Sequence, residues 1–78
     1  MRYIAKYYLL DLEVTAEGKQ WKAQAKDQIR TTLLENRYET AEQAQDAAII
    51  VADGHLQKHY SEVTFKSLDP AQVIWRWQ

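Results

Sequence analysis

Hydrophobic and polar positions alternate along most of the chain, interrupted by one stretch of helical period. In YIAKYYLLDLEV (residues 3–14), Ile4, Tyr8, Leu10, Leu12 and Val14 share one face of an extended segment. Tyr3, Ala5, Tyr7, Asp11 and Glu13 share the other. The β-branched and aromatic content predicts a strand. TAEGK then reads as a turn, with Gly18 supplying a positive φ. QWKAQAKDQIRTTLLEN (residues 20–36) fits two periods. With period 2, Trp21, Ala23, Ala25 and Ile29 face one way, and Lys22, Gln24, Lys26, Gln28 and Arg30 the other. With period 3.6, Trp21, Ala25, Ile29 and Leu33 form a helical stripe. The hairpin-like turn before it favours the strand, with a bend near Lys26–Gln28 dividing it in two.

The period changes to helical at ETAEQAQDAAIIVADGHLQKHY (residues 39–60). Thr40 is a good N-cap, Gln43 completes a capping box, and Glu39 and Glu42 suit the positive end of the helix dipole. Ala41, Ala44, Ala48, Val51, Ala52 and Leu56, joined by Ile49, make a broad apolar face of small residues. Such a face suits a helix lying close on a flat sheet. Gly54 either ends this helix early or is carried within it at about 1 kcal/mol relative to Ala. SEVTFKSL (residues 61–68) alternates again, LDPAQ reads as a turn, and VIWRWQ closes the chain with Val73, Trp75 and Trp77 on one face. Pairing of this tail with residues 61–68 as a hairpin would hold it down. The predicted architecture is α+β in the order β-β-β-α-β-β: a small antiparallel sheet with one amphipathic, alanine-rich helix packed on one face.

Size and composition sharpen this picture. The 78 residues make a single domain, which buries only about 60–65% of its unfolded surface and is thinly stabilised. There is no cysteine, so neither disulfides nor a thiolate metal site stabilise it. That suits a reducing cytoplasm. Three Trp, five Tyr and one Phe must carry the packing. No apolar run is long enough to span a membrane, and the charged N-terminal stretch does not read as a signal peptide. The net charge of −1 gives no general attraction to nucleic acid or anionic lipid. The charge is uneven, however: residues 19–30 are basic and residues 35–46 acidic.

Four groups of residues are candidates for chemistry. Trp75, Arg76 and Trp77 either cap the core, form a self-association seam along a bare terminal edge, or stack bases. Lys22, Lys26 and Arg30, with Tyr3 and Tyr7 beside them, are either an ordinary solvated face or a basic, aromatic surface for nucleic acid. His55 and His59 have the i, i+4 spacing of a helical zinc pair, which needs Asp53 or Glu62 as a third ligand; two plain surface histidines are the simpler reading. For catalysis there is no cysteine and no glycine-rich phosphate loop. Ser61 and Ser67 lack a nucleophile setting, and Glu39, Glu42 and Asp46 fall on the exposed helix face. No cofactor is expected.

The segments GKQWKAQ (residues 18–24) and RYETAEQAQDAA (residues 37–48) resemble the three-strand-plus-helix layout of integrase arm-binding domains and plant ethylene-response-type domains. In both families a Thr-led, alanine-rich helix follows a similar sheet face. Both are more basic than this chain. The function expected is a non-enzymatic protein-interaction or structural domain, homodimeric through its C-terminal edge strand. The alternative is a nucleic-acid-binding domain.

Overall fold

The computed structural model describes residues 1–59 and 72–78. Strands β1 (Arg2–Tyr7), β2 (Leu10–Glu17), β3 (Gln20–Lys26) and β4 (Thr32–Tyr38) precede helix α1 (Ala41–His59), and β5 (Arg76–Trp77) follows it. They form one antiparallel sheet in the order β4-β3-β2-β1-β5 with the helix on one face. The α+β class, the single sheet and the packed helix are as the sequence predicts.

The expected first strand is in fact a hairpin. Tyr7 pairs with Leu10, and Tyr8–Leu9 is the connection. Tyr8 takes φ 57° there, a conformation that glycine or asparagine ordinarily supplies. The reversal moves the inward face from odd to even positions. Ala5 and Tyr7 point to the core before it, Leu10, Leu12 and Val14 after it. Ile4, expected beside Leu10, therefore lies on the opposite face. The next hairpin has the same two-residue form, and Gly18 (φ 64°) occupies the matching position.

Residues 20–38 resolve as two strands around the expected bend. Asp27 organises that bend: its Oδ1 accepts from the backbone N–H groups of Ile29 (3.1 Å) and Thr31 (2.8 Å). Ile29, expected to share the inward face with Trp21, sits in this turn and is 81% exposed. Arg30, expected on the strand, is there too, with φ 67°.

The helix begins at the predicted Thr40 cap, with only the Thr40 half of the expected capping box formed. Thr40 Oγ1 accepts from the Gln43 backbone N–H at 3.1 Å, satisfying one of the first-turn donors. It runs through Gly54 to His59. Ala44, Ala48 and Ala52 are fully buried, as are Ala23 and Ala25 of β3. Small side chains on both surfaces let helix and sheet approach closely. Enlarging one of them, as in Ala23→Leu, would cost about 1–3 kcal/mol in overpacking. The larger core members, Tyr7, Leu10, Leu12, Val14, Ile49 and Leu56, fill the remainder. The Tyr7 hydroxyl donates to Asp53 Oδ1 at 2.8 Å, which ties β1 to the second half of the helix.

The tail is held by β1. Tyr3 pairs with Trp77 and Ile4 with Arg76. The backbone N–H of Arg2 donates to the carbonyl of Gln78, and that of Gln78 to the carbonyl of Arg2, both at 2.8 Å. The strand expected at 61–68 and the turn LDPAQ fall outside the described residues, apart from Gln72.

Candidate functional site

The C-terminal strand brings three rings together. Tyr3 of β1 lies 4.4 Å from Trp77 and 5.9 Å from Trp21 of β3, measured between ring centroids, and the two tryptophans are 6.4 Å apart. Tyr3 and Val14 are opposite one another, as are Ala16 and Trp21. Tyr3 and Trp21 therefore meet over β2, where Ala16 adds little bulk. All the contacts are tilted, the geometry aromatic pairs prefer to a face-to-face sandwich. Trp77 nevertheless stays 48% exposed. Trp75 is half-buried and packs against the core with Val73. Arg76, between the tryptophans, is exposed and makes no ion pair among the described residues.

The other sheet face is charged but balanced. Arg2 and Glu13 pair at 2.7 Å, and Lys6 and Asp11 at 3.4 Å. Glu17 lies 2.7 Å from Arg37 and 3.8 Å from Lys22. The Gln24 amide donates to Glu35 at 2.7 Å. The hydrogen bond from Arg37 holds the Glu17 carboxyl below its ordinary 4.5, helped by the charges of Arg37 and Lys22 and opposed by partial desolvation. Exposed pairs of this kind stabilise by at most about 1 kcal/mol each. Their larger effect is that each base of β1 to β4 on this face has an acid beside it, whereas Arg76 of β5 has none among the described residues.

The residues expected to form a nucleic-acid surface are not brought together. Lys22 and Lys26 lie on the open face, where Lys26 stands opposite Asp11 and Lys22 beside Glu17. Arg30 is in the turn. Tyr7 is fully buried and Tyr3 belongs to the ring cluster, both on the helix side. The Tyr8–Leu9 reversal causes the separation. His55 and His59 do meet, with ring centroids 4.4 Å apart. Asp53 is engaged by Tyr7 and by the Gln57 amide (2.7 Å), and Glu62 lies outside the described residues. No group of three His, Cys, Asp or Glu able to hold a metal occurs among the described residues.

A groove of about 490 Å³ runs beside the tail, lined by Ile4, Lys6, Asp11, Val73, Ile74 and Arg76 among others. Tyr3 and Trp21 were not foreseen as partners of Trp77. Only knowing that the tail returns beside β1 would have revealed them, and no local spacing encodes that. No helix among the described residues is long and apolar enough to cross a membrane. Comparisons with family models, with curated proteins and with solved structures find no match to this chain.

Proposed function

We propose that this chain is a small, non-enzymatic protein-interaction domain whose contact surface is centred on Trp75, Arg76 and Trp77. One observation carries the reading: Trp77 is fixed by sheet pairing and two aromatic neighbours, yet leaves about half its surface in water. A rigid, half-exposed tryptophan loses little conformational freedom when covered, which is why such residues dominate binding energy. Arg76, paired with Ile4, is exposed on the opposite face of the same strand, so a partner that covers Trp77 meets its charge only by reaching round the strand's outer edge. The partner that fits is a protein surface with an apolar centre and an acidic rim. Pairing of two copies through the C-terminal strand is the self-associating form of this contact.

The balanced open face supports nucleic-acid binding less well, because its lysines already have acidic neighbours. Amide and indole NMR tests the choice, recorded on dilution and then with short oligonucleotides at low salt. The reading expects the Trp75 and Trp77 signals to respond to dilution or to an acidic, apolar peptide pool, and to ignore the oligonucleotides. Shifts at Lys22–Arg30 that appear with oligonucleotides and vanish with salt would replace it with the nucleic-acid reading.

A further inference from the structure

We infer that the chain forms a homodimer through the outer edge of β4, in an antiparallel register centred on Asn36. Strand β4 pairs with β3 on one side. Among the described residues no strand pairs with its other side, where alternate residues present backbone donors and acceptors, although the Arg37 N–H is already held by Asn36 Oδ1 (2.9 Å). Natural sheets guard such edges with charged side chains, and like charges set opposite each other repel a second copy. This edge carries the opposite arrangement.

A two-fold axis must place one residue opposite itself. Centred on Glu35, the pairing sets Glu35 against Glu35 and Leu34 against Asn36. Centred on Arg37, it sets Arg37 against Arg37 and Glu35 against Glu39. Centred on Asn36, each Glu35 meets the Arg37 of the second copy, and each Leu34 meets its Tyr38. Unlike charges then face each other on the open side, and on the helix side two Leu34–Tyr38 pairs flank a central Asn36–Asn36 pair. The charged pairs and the Leu34–Tyr38 pairs are both favourable. Glu35 and Arg37 are exposed, each with one neighbour in its own chain (Gln24 and Glu17), and Leu34 and Tyr38 are half-buried, so this register covers what the lone chain leaves partly wet.

The helix supports the same seam. At 100° per residue, Glu42, Asp46 and Asp53 fall on one flank, and Thr40, Gln43, Ala47 and Val51 on the opposite one. The bond from Tyr7 places the Asp53 flank towards β1. The flank towards β4 is therefore uncharged from Thr40 to Val51, and two copies joined at β4 keep their acidic strips apart. The seam stands whether or not the tail surface binds a partner. Only one consequence rests on that reading: the dimer carries its two Trp-Arg-Trp surfaces at opposite ends of one continuous sheet, which makes it bivalent.

Sedimentation equilibrium over a concentration series tests the seam, with circular dichroism to check folding. The full chain is expected to dimerise reversibly. Glu35→Arg and Arg37→Glu are each expected to weaken the dimer about tenfold or more, because each sets like charges across the seam. An equimolar mixture of the two variants is expected to restore it as a heterodimer, since the unlike pairs are recreated. Should either variant fail to fold, hydrogen exchange on the unmodified chain decides: β4 amides gain protection with concentration if the seam is right. A chain that stays monomeric at millimolar concentration overturns the inference. So does a dimer indifferent to both substitutions, or variants that do not recover on mixing. A dimer lost in Trp77→Ser but kept in Glu35→Arg moves the seam to the tail, overturning this inference while sustaining the proposed contact surface.

Discussion

At one edge of the sheet, β5 contributes two residues and is held largely by rings; at the other, β4 contributes seven and is held by a ladder to β3. The short edge depends on what Trp77 touches, namely Tyr3 and Trp21. The long edge depends little on any one side chain, because backbone bonds and the adjoining helix fix it. An edge fixed by side chains is sensitive to mutation and hard to extend. An edge fixed by backbone tolerates mutation and is open to further pairing.

Substitutions test this contrast in dilute solution. Trp77→Ala gives the largest effect. Full burial would make the loss about 3–5 kcal/mol, and the exposure of half the ring reduces it to about 2 kcal/mol. Glu35→Ala on the opposite edge stays within about 0.5 kcal/mol. Equal losses in urea unfolding would break the comparison. Next is Thr40→Ala, which removes the cap joining β4 to its helix and costs about 1 kcal/mol by the same measurement. A negligible loss would show that the cap does not help anchor this edge. Arg30→Gly acts in the opposite direction. Relieving the positive φ in the β3–β4 turn raises stability by about 0.5–1 kcal/mol, read as a higher urea midpoint.

The smallest effect is in pH. The folded Glu17 pKa lies below 4.5, so its pair with Arg37 stabilises the fold above that value. That contribution is lost as pH falls through the lowered folded pKa. Carboxyl NMR titration of Glu17 should give a midpoint below 4.5 that rises towards it in Arg37→Ala. An unchanged midpoint would mean that Arg37 is not the cause.

The helix was readable because each of its signals agreed: cap, first-turn acids and an alanine face. The split at Asp27 was readable for a similar reason, since the bend interrupts an otherwise regular alternation. The Tyr8–Leu9 turn was not. Tyrosine at positive φ carries no turn signature, and the neighbouring residues read as uninterrupted strand. That one position reverses which face Ile4, Ala5 and Tyr7 occupy. It therefore dissolves the expected grouping of Tyr3 and Tyr7 with Lys22 and Lys26. The alternation in VIWRWQ makes the tail legible as a strand with both tryptophans on one face. Its neighbours come from β1 and β3, and periodicity within a segment carries no information about which distant strand that segment joins.

The ladder between β1 and β5 also leads to an expected order of events in folding. Tyr3 and Trp77 lie at almost opposite ends of the described chain, so their pairing closes a loop spanning nearly all of it. The two hairpins and the β3–β4 turn close short loops that lose little entropy. They can form early, and the helix can dock on them through β2, β3 and β4. The tail strand must therefore arrive last and be the first to leave. Trp77, the residue that decorates the finished surface, is also the reporter of completion: its environment changes only when the rest of the sheet is already in place.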